Sequence, residues 1–558
     1  MEKKIKSYLG NANRFLERGE YERAVSELNK VLSIDKDCED ALIQRAEAYR
    51  FMELYEKAIR DFTKLLKLSP NDSFALNHRA ELYHIMEEDD KALEDLEKAI
   101  EIDPNESWGY IARAEVYLTL GNYHEAMMDL NQAFGLELEE EAVAYTLKGR
   151  VLREMGEFAG AQEAFDHAVF LDEDNAEPLV QRSTLHMYTG EFLKAIDDID
   201  KAIELEDEET EFYVQRGDIH TILGNEEKAF ADYEKALEIE PGHPAVLMQR
   251  AQLFRMIGEL DKAADDLDVA IQNSSGNTDL LAARASLLVE QGEFDDAIGD
   301  IEEALEIEPD HIASLRARGE LFATVEQYED AYADFNTIVA LDENDETALN
   351  SRGEALYHMA RYEEALDDFN QAIEISPGDE LILQNRGEAL LTLGQYEAAL
   401  QDLNQAIEQN PDDAWALCNR GMAQLLVGNP EAAYEDFEAS ISLDPDTEYT
   451  FYCRGLALFA QGEEEGAMED FGSAVTIASQ VLEEDPEDPR HAFALALYTL
   501  ASSQSEEAHA FYQRGLESEV SSATIYEALS DLKQLLILRP DLTEGPDHQG
   551  LLESAIEG

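Results

Sequence analysis

Apolar residues recur along this chain at helical spacing, not at the alternation of a strand. In residues 348–377, ALNSRGEALYHMARYEEALDDFNQAIEISP, the positions Leu349, Leu356, Leu366, Phe369 and Ile373 mark two amphipathic segments. A short polar stretch separates the segments, and a proline closes the second. Shifted by about 34 residues, the pattern returns as ILQNRGEALLTLGQYEAALQDLNQAIEQNP at 382–411. The spacing therefore predicts pairs of antiparallel helices, repeated along the chain. One such hairpin cannot bury its own apolar face, so neighbours must stack.

The same frame runs through residues 5–477. A small residue sits midway along each first helix: Ala46, Ala80, Ala114, Gly149, Ser183, Gly217, Ala251, Ala285, Gly319, Gly353, Gly387, Gly421 and Gly455. It lets two helices approach closely. The turn carries Gly and then an aromatic, as in Gly19/Tyr21, Gly121/Tyr123, Gly190/Phe192 and Gly394/Tyr396. Glycine there takes the left-handed conformation that ends a helix. Alanine opens the second helix fourteen times: Ala24, Ala58, Ala92, Ala126, Ala161, Ala195, Ala229, Ala263, Ala297, Ala331, Ala365, Ala399, Ala433 and Ala467. Proline often ends it, as at Pro70, Pro104, Pro241, Pro309, Pro377, Pro411 and Pro445, because it cannot continue a helix.

This order of small residue, Gly-aromatic, Ala and Pro resembles the tetratricopeptide repeat family, in a long array like bacterial-type scaffolds of that family. The resemblance covers residues 5–477 and is specific, since it recurs at fixed spacing. Departures are few. LELEEEAVA at 136–144 carries one extra residue, and Glu53, Glu87, Glu326 and Ala360 replace the turn glycine. The resemblance implies an all-α fold: a right-handed superhelical solenoid of antiparallel hairpins, whose inner groove is lined by first helices and holds peptides. The expected organisation is an array over 1–477, a degenerate hairpin and capping helix over 478–540, and a tail over 541–558. Terminal units of a solenoid cover the last apolar face.

Charge changes the picture. Lys plus Arg total 42 against 124 Asp plus Glu, a net charge of -82. Nucleic acid needs a basic footprint, so it is excluded as a partner, and an acidic membrane surface would repel the chain. The acidity serves either solubility or a partner with basic segments. Solubility is the simpler reading. Cys38, Cys418 and Cys453 show no disulfide or zinc spacing. With no signal peptide and no apolar span, a cytoplasmic location is expected. No P-loop, GxSxG, HExxH or dinucleotide motif occurs, so neither enzyme chemistry nor a cofactor nor a bound metal is expected. His186 and His220 hold equivalent slots in adjacent repeats and read as a semi-buried pair, not as ligands.

One subfamily that the resemblance brings in grips acidic C-termini with a basic carboxylate clamp. Here Leu9 takes its first lysine slot, and Glu47, Glu81, Glu115, Asp218, Glu320, Glu354 and Glu388 take its second. The clamp is absent. The groove offers instead two aromatic stations, Phe74, His78 and Trp108, then Trp415, Tyr449 and Tyr452. Trp and Tyr are typical anchors, though they also staple loops. Amides share one slot at Gln44, Gln181, Gln215, Gln249, Asn385 and Asn419. They either pair with a peptide backbone or are merely common in such repeats.

One last slot is basic in nearly every repeat, from Arg45 and Arg79 through Arg352 to Arg454, with Lys148 in the fifth. Sixteen residues on stands Asp61, Asp95, Asp368 or Asp470. The arginines form either a ligand ladder or a string of internal ion pairs. Lys148 faces Ala164, and Asn11 faces Glu27, so both slots change together, which favours pairing. The expected function is a protein-binding scaffold or adaptor for basic or amphipathic segments. The alternatives are a self-assembling structural protein or a non-catalytic regulatory subunit. The oligomeric state and the partner's identity are not readable.

Overall fold

The computed structural model describes residues 2–136, 138, 141–518 and 520–557. Glu137, Glu139 and Glu140 of the expected one-residue insertion lie outside these. The described residues form 32 helices and no strand. Most are 13 or 14 residues long and pack as antiparallel pairs. The chain divides into two compact units, residues 1–257 and 258–558.

Within each unit the hairpin is built from the predicted slots. Several first helices begin at carboxylate caps: Asp72, Asp345, Asp379 and Asp413 each accept from a backbone N–H three residues on. The turns then need a left-handed residue. Gly121 and Gly394 supply it at φ +73° and +74°. Glu53, Glu87, Glu326 and Ala360 hold the same conformation at φ +56° to +62°. A side chain there costs about 1–2 kcal/mol, and packing on either side holds the turn regardless.

The alanine that opens each second helix is buried throughout, from Ala24 to Ala467. Across from it lies the close approach. A methyl group on Gly353 would come within 2.6 Å of the Phe369 ring. Gly149 faces Phe165, Gly217 faces Tyr233, Gly319 faces Phe335 and Gly421 faces Phe437 equally tightly. Where the facing residue is Leu96, Leu130 or Ile301, the small slot holds Ala80, Ala114 or Ala285. Volume is thus traded across most hairpins, with Ala46 opposite Phe62 and Gly387 opposite Leu403 as exceptions.

Arginine binds each hairpin together. Arg352 donates from Nε and Nη2 to the two oxygens of Asp368 at 2.7 and 2.6 Å. The same two-point contact occurs in eleven of the described repeats. The remaining nitrogen reaches backward. Arg352 Nη1 donates to Asn336, Arg386 Nη1 to Asn370 and Arg79 Nη1 to Thr63, each in the preceding hairpin. One guanidinium therefore joins three helices. Asp368 is buried, and hydrogen bonding to it, outweighing desolvation, raises the Arg352 pKa above its ordinary value. The exceptions behave as exceptions. Asn11 donates to Glu27 at 3.3 Å, and Lys148, with no carboxylate opposite, sits 5.4 Å from the Phe134 ring. The arginines are structural.

The C-terminal region departs from expectation in two places. The boundary at 477 falls inside one helix, Glu464–Glu484. Residues 541–558, expected as a tail, hold the helix Gly545–Glu557. Leu552 and His548 are buried, and Leu551 and Ile556 pack on the core, so an apolar face orders the segment. Between them, Pro489–Ala501 and Ser505–Glu517 form the degenerate hairpin, and Ser522–Leu538 the amphipathic helix. Arg539 locks that helix down. It is 2% exposed, donates to the Ala501 carbonyl at 2.7 Å and stacks 3.8 Å over Phe459.

Gly353→Ala should destabilise unit 258–558 by about 1–3 kcal/mol, the usual cost of overpacking. Adding Phe369→Leu should recover part of that loss, as Ala80 with Leu96 already shows. Urea unfolding of both variants measures it. A double variant no more stable than Gly353→Ala alone would contradict the volume trade.

Candidate binding face

The first aromatic station forms one open cleft in unit 1–257. Helix Ser73–Ile85 supplies Phe74, Asn77 and His78, and helix Ser107–Thr119 supplies Trp108 and Ile111. The cleft encloses about 990 Å³, and no lysine or arginine lines it. Phe74 is 46% exposed, its ring set edge-on to His78 with 4.1 Å between the ring centroids. Trp108 is half-buried because its indole N–H donates to Glu81 at 2.8 Å. Glu106 caps the second of these helices and accepts from Asn77 at 2.9 Å. The Asn77 carbonyl oxygen is buried without a partner among the described residues.

The second station repeats this layout in unit 258–558, then diverges. Trp415 is 41% exposed and donates from its indole to Glu388 at 3.3 Å, as Trp108 does to Glu81. Its ring lies 6.1 Å from Tyr449, which lies 6.0 Å from Tyr452. Tyr452, however, is only 2% exposed and belongs to the core. Asn419 is also buried, at 4%. Neither is a surface station. Both slots turn toward the stacked neighbour, which a single repeat read alone does not reveal.

The amides correct the sequence reading in the same way. Gln215 donates to Ser183 and Thr184 of the preceding first helix at 3.2 and 3.1 Å. Asn385 donates to Asn350 and Glu354. Gln181 is shared between Glu177 and Arg153. Gln249 is half-buried. The amide slot therefore cross-links neighbouring first helices and is mostly committed. His186 is tied to Glu191 at 2.9 Å, and His220 is buried nearby in sequence with its Nδ1 unpartnered. Three ligand-capable groups cluster at Asp485, Asp488 and His491, but Asp488 already holds Arg490 and caps a helix.

Electrostatics separate the two stations. His78 lies between Glu81 and Glu47. Burial alone would lower its pKa, but the hydrogen bond and charge of Glu81, with Glu47, raise it. Glu81 in turn is pulled below the usual carboxylate range: desolvation opposes this, and the bond to His78 outweighs it. Glu388 has no such companion, and burial drives its pKa up.

Family models for the tetratricopeptide repeat match residues 39–72, 73–106, 96–128, 142–175, 210–243, 282–346, 347–379, 369–401, 387–428, 416–447 and 454–520. Together they cover most of the chain. It belongs to the tetratricopeptide repeat family. Members of this family are helical-repeat scaffolds that generally bind other proteins. The tetratricopeptide fold is shared with Cut9 in the crystal structure of the APC/C hetero-tetramer Cut9-Hcn1. That match has TM-score 0.58 and 16% identity, over 93% of this chain and 98% of the other. A tetratricopeptide repeat protein from Parabacteroides merdae aligns over 46% of this chain and 98% of its own, at 23% identity and TM-score 0.35. No curated protein matches. No helix among the described residues is long and apolar enough to cross a membrane.

The Glu81–His78 pair makes a pH prediction. A raised histidine pKa contributes stability that is full below about pH 6.5, the ordinary value, and lost as pH rises through the raised one. NMR titration of the His78 ring should place its midpoint above that of a free histidine, and Glu81→Gln should bring it down. An unchanged midpoint in Glu81→Gln would contradict the pairing.

Proposed function

We propose that this tetratricopeptide protein is a scaffold or adaptor that binds segments of partner proteins along the acidic face lined by its first helices. The partner segments are basic or amphipathic. The observation that carries this reading is the Phe74–Trp108 cleft: exposed aromatic rings, hydrogen-bond acceptors and carboxylates, with no lysine or arginine in the lining among the described residues. Aromatic side chains are the usual anchors of protein interfaces.

The arginine ladder supports the same reading. Eleven guanidinium groups are spent on internal aspartates. Each pair withdraws one cation and one carboxylate, so the net charge is unchanged but the remaining carboxylates outnumber the remaining cations more strongly. No lysine occurs between Lys262 and Lys533, so the C-terminal half carries the stronger field. Carboxylates occupy the slots where a basic clamp would sit, which disfavours acidic tails as ligands. The unpaired thiols of Cys38, Cys418 and Cys453 fit a reducing, cytoplasmic setting.

Fluorescence anisotropy with a labelled basic amphipathic peptide and its acidic counterpart tests this. The basic peptide alone should bind, and affinity should fall steeply between 50 and about 500 mM salt, as exposed charges are screened. Phe74→Ala with Trp108→Ala should weaken binding at least about tenfold, the loss of a modest hot spot. Equal binding of both peptides, or salt-independent affinity, would sink the acidic-face reading.

A further inference from the structure

Unit 258–558 contains a second, smaller site that the aromatic stations do not account for. The helix Ser522–Leu538 lies against Pro489–Ala501 and, near Tyr449, against the last full repeat. The three enclose a cavity of about 170 Å³. A water occupies about 30 Å³ in the liquid, so the space suits a short chain of about five or six heavy atoms. Its walls are apolar or aromatic: Tyr449, Phe493, Leu497, Tyr498 and Ala528. Two carboxylates of one helix face, Glu527 and Asp531, open into it.

Two observations point to an absent ligand. Tyr498 is 2% exposed and lines the cavity, yet its hydroxyl has no hydrogen-bond partner among the described residues. Asp531 likewise makes no hydrogen bond among them. The one cation at the rim, Arg490, is already committed. It donates to Asp488 at 2.6 and 2.9 Å and reaches Glu326 at 2.9 Å. Arg490 offsets part of the Glu527 charge, whereas Asp531, beside the aromatic walls, has no cation bonded to it among the described residues. The rings continue behind the wall, with Tyr452 5.0 Å from Tyr498 and 6.0 Å from Tyr449.

We propose that this cavity binds an alkylammonium ion, seated between the Asp531 and Glu527 carboxylates and the rings of Tyr449, Phe493 and Tyr498. Aromatic faces and carboxylates together are the chemistry that holds such cations. A neutral ligand would leave the carboxylates unpaired, and an anion would be repelled. The shared chemistry has two sources, a lysine side chain of a bound protein or a free aliphatic amine. The lysine source rests on the scaffold reading above; the cavity itself does not.

The surroundings give the site a pH signature. Burial, then the charges of Glu527 and Glu388, push Asp531 up to about 8. Glu527 and Glu388 are themselves raised, chiefly by burial. From the repeat side Tyr362, Tyr449, Tyr452 and Cys453 face the group, and from the terminal hairpin Tyr498 and Tyr512 do. All are neutral near pH 7, since their ordinary values already lie above it and burial raises them further. An ammonium ion entering at pH 7 therefore displaces the Asp531 proton. Apparent affinity should rise about tenfold per pH unit below pH 8 and level off above it.

Calorimetry on the full chain tests this with 1,5-diaminopentane, with N-acetyl-lysine methylamide and with 1-pentanol as the neutral control. Trp415 emission in a Trp108→Phe background provides a second readout, since Tyr449 lies beside Trp415. Both amines should bind with proton release that disappears near pH 9, and 1-pentanol should not. Asp531→Asn should weaken amine binding at least tenfold while raising the melting temperature, which separates lost binding from lost fold. Amines no tighter than 1-pentanol, or Asp531→Asn binding as well as the parent, would overturn the proposal. Diamine binding without binding of the lysine derivative would overturn the lysine source. Basic peptides that lose affinity in Phe74→Ala but not in Asp531→Asn would leave the scaffold reading intact and sink only the lysine source.

Discussion

A single guanidinium with three bonding nitrogens sets the geometry of this array. In Arg352, two nitrogens take the Asp368 carboxylate within the hairpin, and the third takes Asn336 in the hairpin before. Lysine cannot replace it, because a point charge does not span a carboxylate and a second acceptor in fixed directions. Where lysine does appear, at Lys148, the partner carboxylate has gone and an aromatic ring takes its place. The contact is buried enough that removing one partner leaves an uncompensated charge. It also has a consequence for the surface. Each pair takes one cation and one carboxylate out of the surface balance, which raises the ratio of carboxylates to cations outside without changing the net charge.

The same stacking decides which residues are free to bind. First helices lie side by side, so a residue on one flank meets its neighbour before it meets solvent. Gln215 and Asn385 are used up in this way, and so are Glu81 and Glu388, which hold the two indoles. What is left exposed is the mouth of each first helix, where Phe74 and Trp415 project. The proposed binding surface is thus the remainder after the array has joined itself together.

The hairpins, their turns and the arginine pairing were legible in the sequence because each depends on residues within one repeat. Both slots changing together at Lys148/Ala164 and Asn11/Glu27 revealed a contact sixteen residues long. The two tryptophans were legible as equivalents, since both occupy the same slot near the start of a first helix; the glutamates that hold them were not. The burial of Asn419 and Tyr452 was not, because it depends on how adjacent repeats are set against each other. The helix Gly545–Glu557 was missed because its apolar face, Leu551, Leu552 and Ile556, is short and lies outside the repeat frame. Glu527 and Asp531 left a faint trace, two acids one turn apart on an amphipathic helix. Their significance needs the cavity that only packing creates.

The central claim is that the arginines belong to the scaffold and not to its ligands. A double-mutant cycle on Arg352→Met and Asp368→Met measures this most directly, by urea unfolding at low and high salt. A structural pair predicts a coupling energy of about 2–3 kcal/mol, at the upper end for contacting groups. It should change little with salt, because a buried pair is weakly screened. A coupling below about 0.5 kcal/mol, or one abolished by salt, would contradict the account and return the arginines to the surface as a ligand ladder.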